Sequence, residues 1–238
     1  MKNVPVIVVV IFGLAFAGLS EAAPKKRTRN QNRIGPYGAA FVGMTSYGGD
    51  QSANEEELED ILTENNIPFQ NVNTSTDSED IGFQVTFGYR FNRFVSGELG
   101  LVQYGELVSS SSADLDFPGD GVGFVPANVA LSFSVGGPLI SVIGILPIQE
   151  KFEFYGRFGY LFASVEREFT SRVADQRGVS GSAKGDSQVP VYGVGFSWNI
   201  NQVYTIRGEY QIVSDVGESV RTGKEDLDSI NVGLIVRF

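Results

Sequence analysis

Between Ile81 and Arg90 apolar and polar side chains alternate without a break. Ile81, Phe83, Val85, Phe87 and Tyr89 fall on one face, and Gly82, Gln84, Thr86, Gly88 and Arg90 on the other. A repeat of two predicts a strand, because successive Cβ atoms point to opposite sides of a pleated chain. Phe152, Phe154, Phe158, Tyr160 and Phe162 repeat the pattern, interrupted at Gly156, against Glu153, Tyr155, Arg157, Gly159, Leu161 and Ala163. Tyr192, Val194, Phe196, Trp198 and Ile200 do the same against Val191, Gly193, Gly195, Ser197 and Asn199. The last strand sets Ile230, Val232, Leu234, Val236 and Phe238 against Ser229, Asn231, Gly233 and Arg237. Weaker alternation covers Ile34 to Thr45, Phe94 to Tyr104, a stretch between Asn128 and Leu146, and Val203 to Val213, which brings the predicted strands to eight.

The connections alternate between short and long. Short turns are predicted around Phe91 to Arg93, Pro147 to Lys151 and Asn199 to Gln202, and long polar loops over 46–80, 105–127, 165–188 and 214–228. An even number of strands with short turns at one end and long loops at the other predicts an all-β, eight-stranded antiparallel up-and-down transmembrane β-barrel, its turns in the periplasm. A secreted ligand-carrying barrel has the same strand count with its apolar face turned inward. Three features argue against that alternative. The apolar face is made of large aromatic and aliphatic residues while the other carries Gly, Arg, Glu, Gln and Ser. Aromatic residues gather near strand ends as an interfacial girdle requires. The chain also stops on an aromatic, Phe238, at the end of an alternating strand.

The first residues follow a different pattern. Lys2 precedes an apolar run from Val4 to Phe16, too short for the about 20 residues of a membrane-spanning helix. Ser20-Glu21-Ala22 offers small residues where signal peptidase cuts, so residues 1–22 read as a cleaved signal peptide, 23–33 as a basic periplasmic tail, and 34–238 as the barrel. The tail carries Lys25, Lys26, Arg27 and Arg29, which would face anionic headgroups or peptidoglycan, or form a disordered tail.

Composition narrows the chemistry. The chain has no cysteine and no histidine, which removes disulfides, thiol nucleophiles, imidazole metal sites and a Ser-His-Asp triad. A formal charge of -10 argues against nucleic acid, which is bound through clustered cations. Ser180, Ser182 and Lys184 lack the spacing of a serine–lysine nucleophile, and Gly119 to Gly123 lacks that of a dinucleotide loop. No enzyme, cofactor or metal site is therefore expected. Ten Asp and Glu with no Lys or Arg crowd the segment from Asp50 to Asp80, as in a solvated acidic loop. Divalent-cation binding beside lipopolysaccharide phosphates, or electrostatic exclusion of anionic ligands, is the functional alternative for it. Within it, Glu55 to Asn65 has the spacing of a short helix with Leu58, Ile61 and Leu62 on one side.

Several stretches resemble a known family. Pro147 to Gly159 looks like the hairpin joining the fourth and fifth strands of the OmpA-type eight-stranded transmembrane domain. Pro190-Val191-Tyr192 and Arg207 to Gln211 are similar to its sixth and seventh strands, and Val95 to Leu101 to its third. The terminal Val236-Arg237-Phe238 resembles the signal by which the outer-membrane assembly machinery recognises its clients. The family's best-known member continues into a peptidoglycan-binding domain, whereas here the chain ends with the barrel, as in small porin-like and opacity-type surface proteins.

The resemblance implies a cell outer-membrane location, contacts with outer-membrane lipids and lipopolysaccharide, and delivery by periplasmic chaperones. Glu98, Arg157 and Arg207 each stand five or six residues above a predicted turn, about 15 Å up the wall, with Glu209 two residues higher. The resemblance implies that Glu98 and Arg207 match an interior ion pair described as a plug or gate. Ser197 and Ile143 stand where that family has a second acid and base, so both partners are missing together. Two functions stay open. One is a surface protein with a largely side-chain-filled lumen and loops that contact host, phage or lipopolysaccharide. The other is a narrow channel for ions or small solutes.

Overall fold

A computed structural model of the chain describes residues 33–48, 59–60, 63–64, 67–77, 79–116, 123–173, 178–217 and 225–238. The expected signal peptide and nearly all of the basic tail lie outside them, as do most of Glu55 to Asn65. The described residues of that last segment, 59–60 and 63–64, are helical.

Among the described residues nine strands are formed: β1 (Gly35–Tyr47), β2 (Phe69–Asp77), β3 (Glu79–Arg90), β4 (Val95–Leu115), β5 (Val125–Pro147), β6 (Phe152–Val173), β7 (Val179–Asn199), β8 (Tyr204–Val216) and β9 (Glu225–Arg237). Eight of them close a barrel. β1 pairs with both β3 and β9, each later strand pairs with its successor, and β4 with β5 completes the ring. Every pairing is antiparallel. Closure removes the unpaired edges that an open sheet would expose to lipid.

β2 is the ninth strand and stands outside the ring, paired only with the far half of β4 through Phe69↔Leu115 and Asp77↔Val108. It occupies part of the segment expected to be loop. The other long loops are corrected in the same way. Most of 105–127 and 165–188 belongs to strands, because β4 to β7 are 21 to 23 residues long while β1, β3, β8 and β9 have 12 or 13. One side of the wall thus rises about 30 Å further along the strand direction, at about 3.3 Å per residue. It includes polar runs such as Ser109 to Ser112, in which apolar and polar residues do not alternate and no period-two signal arises. They form strands because a neighbouring strand satisfies their backbone groups.

The alternation decides inside from outside. Leu101 and Ile230 are 64% exposed while Val191, Val213 and Leu161 are fully buried. The outward band includes Phe83, Phe87, Leu99, Phe154, Phe158, Tyr192, Val194 and Trp198. A continuous apolar surface of this size is untenable in water and matches the lipid-facing belt of a transmembrane barrel. The short turns are cut sharply by asparagine: Asn92 Oδ1 accepts from the backbone N–H of Phe94 and Val95, and Asn201 Oδ1 from Val203 and Tyr204.

Candidate functional site in the barrel interior

The inward face of each strand contributes small residues at the level of the large ones on its neighbours. Tyr37 lies directly across from Gly88, and Tyr155 from Gly195. A methyl group on either glycine would sit 2.3 to 2.4 Å from the tyrosine ring. The two glycines therefore let the tyrosine rings lie across the neighbouring strand, with their hydroxyls within reach of the glutamates.

There they meet the charged residues. Arg207 Nη1 donates to Glu98 Oε1 at 2.6 Å, and Tyr37 donates to the same oxygen at 2.7 Å. Arg157 Nη2 makes an ion-pair contact of 2.9 Å with Glu98 Oε2. The Nε of Arg157 donates to Glu209 Oε1, its Nη2 to Glu209 Oε2 at 3.0 Å, and its Nη1 to Ser141 Oγ at 2.7 Å. Tyr155 donates to Glu209 Oε2 at 2.6 Å, and the Arg207 guanidinium lies over the Tyr155 ring at 4.5 Å. Two carboxylates and two guanidiniums thus form one neutral, buried layer across the lumen. Charges in such a layer stay ionised because each faces an opposite charge and directed hydrogen bonds.

Of the residues singled out from the sequence, Glu98, Arg157, Arg207 and Glu209 come together. Ser197 and Ile143 also face inward and are buried, beside Arg207 and Arg157 respectively. Val236 pairs with Gly38 and Tyr204 in the closing strands, and the Phe238 N–H donates to Pro36 O at 3.3 Å. Sequence reasoning missed the residues that complete the layer, Tyr37, Tyr155 and Ser141, although their inward parity was readable.

Two further layers were missed. Toward the long-hairpin end, Gln211 donates to Glu209 Oε1 at 2.9 Å and is also in contact with Gln84 Oε1 and the Tyr104 hydroxyl, both at 3.0 Å. Beyond them the lumen turns apolar. Val102, Phe133, Val135, Leu139, Leu161, Val165, Val191, Val213, Val216 and Leu227 form one cluster with Tyr47 and Tyr104. Toward the short turns, Arg90 holds Glu153 through Nη1 at 3.1 Å and Nη2 at 3.0 Å, and Arg33 Nη1 reaches Glu153 Oε1 at 3.2 Å.

Among the described residues, no cluster of acidic side chains could hold a metal ion. Among the described residues, Ser141 Oγ accepts from Arg157 and the Thr205 hydroxyl donates to Asn199 Oδ1, while the buried hydroxyls of Thr45 and Thr86 have no hydrogen-bond partner; the chain has no histidine to activate any of them.

Comparison with known proteins agrees with this architecture. The family model described as the OmpA-like transmembrane domain matches residues 36–238. Outer membrane protein A of Klebsiella pneumoniae is 26% identical over 171 residues, a match covering 71% of this chain and 44% of that protein. The chain therefore spans less than half the length of that curated relative. Among solved structures, OprG of Pseudomonas aeruginosa is similar with a TM-score of 0.43 and 13% identity, covering 89% of this chain and 99% of that one. Ail, the attachment invasion locus protein of Yersinia pestis, solved with the heparin analogue sucrose octasulfate, gives 0.35 and 13%, covering 86% of this chain and 100% of that one. With a barrel of this topology and a family match over nearly its whole described length, the chain belongs to the OmpA-like transmembrane domain family and is an outer-membrane β-barrel protein.

Proposed function

We propose that this protein is a non-enzymatic surface and structural component of the outer membrane, with a lumen closed by side chains and long hairpins that reach outward to partners. The observation that supports this best is the apolar cluster beyond the charged layer. Val135, Leu161, Val165, Val191, Val213 and Val216 have no accessible surface, so the lumen narrows to close packing at that level. Eight strands leave an interior just wide enough for side chains to fill, and an apolar plug resists hydration and ion passage alike. The short turns then face the periplasm and the β4–β5 and β6–β7 hairpins the exterior, in line with the general orientation of such barrels. Binding of host, phage or lipopolysaccharide at the hairpins, and recognition of Val236 and Phe238 by the assembly machinery, belong to the same reading.

Planar-bilayer recording of the refolded protein tests it. The expected result is no stable single-channel step above background. A persistent open conductance would favour the narrow channel instead. Orientation has its own test: a tag inserted at Asn65 is expected to be labelled on intact cells, and one at Gln149 only after the outer membrane is opened.

A further inference from the structure

The lumen is sealed on one side of the charged layer and open on the other. At the short-turn mouth a cavity of about 770 Å³ is lined by Arg33, Arg90, Arg93 and Lys151 against only Glu150 and Glu153. A cationic excess here contrasts with the -10 of the whole chain. We infer that this mouth is a blind binding site for a small water-soluble dianion bearing carboxylate or phosphate groups.

The charges inside are unevenly matched. Glu153 is shared by two guanidiniums, those of Arg90 and Arg33, so one positive charge of that trio has no counterpart. Arg93 is held over the Phe94 ring at 4.4 Å. Among the described residues, no carboxylate lies within ion-pair distance of Arg93 or Lys151. Behind the cavity wall, Arg237 donates to Thr205 Oγ1 at 2.6 Å and to Asn199 Oδ1 at 3.3 Å, again without a carboxylate. Planar guanidinium forks favour carboxylate and phosphate oxygens, and the volume is in the range of small-molecule sites.

Access decides the source of the ligand. Arg90 and Glu153 stand on the inward faces of β3 and β6 and are buried, so they form the floor of the mouth, while the exposed Arg93 and Lys151 and the half-buried Arg33 meet a ligand arriving from water along the barrel axis. The charged layer at Glu98 and the apolar cluster beyond it close the path, so the ligand binds and is not passed on. The compartment it comes from rests on the orientation proposed above, which the tag at Gln149 tests separately.

The test titrates full-length protein, refolded in zwitterionic micelles at low salt, with glutarate and with inorganic phosphate, followed by calorimetry. Saturable binding of either probe is expected, weakened by added salt and reduced about tenfold in Arg33→Gln/Arg93→Gln. Which probe binds identifies the acidic group. Lys184→Gln, at the other end of the barrel, should bind like the parent. Heat-modifiable gel migration checks that each variant is folded, and if the double variant is not, Lys151→Gln takes its place with the same direction of effect. Absence of saturable binding, or equal affinity in parent and folded variant, would overturn the inference. So would loss of the response on doping the micelles with phosphatidylglycerol, since the site would then take a lipid headgroup.

Discussion

The lumen holds two layers, separated by the contacts of Gln84 and Gln211, that fill space by different physics. The layer around Glu98, Arg157, Arg207 and Glu209 is ionic and hydrogen-bonded, whereas the layer around Leu161, Val165 and Val213 is apolar apart from the hydroxyls of Tyr47 and Tyr104. An apolar layer is non-directional and tolerates exchange for side chains of similar volume. An ionic layer is satisfied only when all its members are present, because removing one strands the charge of another. Similar occlusion is therefore reached with opposite sensitivities, and substitutions should tell the two layers apart.

The largest effect is expected at Arg157, which alone touches both carboxylates and Ser141. Arg157→Ala should lose about 3 to 5 kcal/mol in denaturant unfolding from detergent or lipid. Arg157→Lys should recover little, since one ammonium cannot reproduce the fork. A loss near zero for Arg157→Ala would mean that water enters the layer and screens it.

Leu161→Ala comes next, with about 2 to 5 kcal/mol expected from a cavity in a close-packed site. Leu161→Met should cost under about 1.5 kcal/mol, and that tolerance is the contrast with Arg157→Lys. Comparable damage from both conservative changes would erase the distinction between the layers.

A double-mutant cycle sharpens the ionic side. Glu98→Ala and Arg207→Ala together should be less damaging than the sum of the singles, with a coupling of about 1 to 3 kcal/mol. Arg157 also contacts Glu98, so the cycle should be repeated with Arg157→Gln, where the coupling should grow. Strict additivity in both backgrounds would show that the two side chains do not share an energetic unit.

The smallest effect belongs to an ion pair in water. Lys184 and Glu166 meet at 2.8 Å on the tall side of the wall, where the hydrogen bond and charge of Glu166 hold the Lys184 ammonium above its ordinary pKa. The pair persists below that raised value and is lost as pH rises through it. Glu166→Gln should move the Lys184 titration downward by NMR while leaving unfolding unchanged, because exposed pairs contribute little. A clear stability loss would show that the tall hairpins depend on charge as the lumen does.

Period-two alternation made the eight wall strands legible, because lipid on one side and a narrow lumen on the other impose opposite chemistry on successive residues. It left the upper halves of β4, β6 and β7 unread, while the weak alternation from Asn128 covered most of that of β5. Ser109 to Ser112 meet water and neighbouring strands rather than lipid, so no face selects for apolar residues. β2 was hidden for the same reason: Thr74 and Thr76 sit beside Ser111 and Ser109, at 3.0 and 3.2 Å between hydroxyls, a fit created by the partner strand.

By itself the sequence determined which residues face inward and that Glu98, Arg157, Arg207 and Glu209 stand at similar heights, since both follow from parity and distance to a turn. Only the tertiary structure decided who meets whom. Glu98 and Arg207 are 109 residues apart in sequence, and their contact depends on ring closure, strand stagger and the glycines that seat Tyr37 and Tyr155. The apolar cluster was likewise decided in three dimensions: Val191 and Leu161 each read as one apolar residue on a mostly polar face, and only closure of the barrel brings them together with Val135.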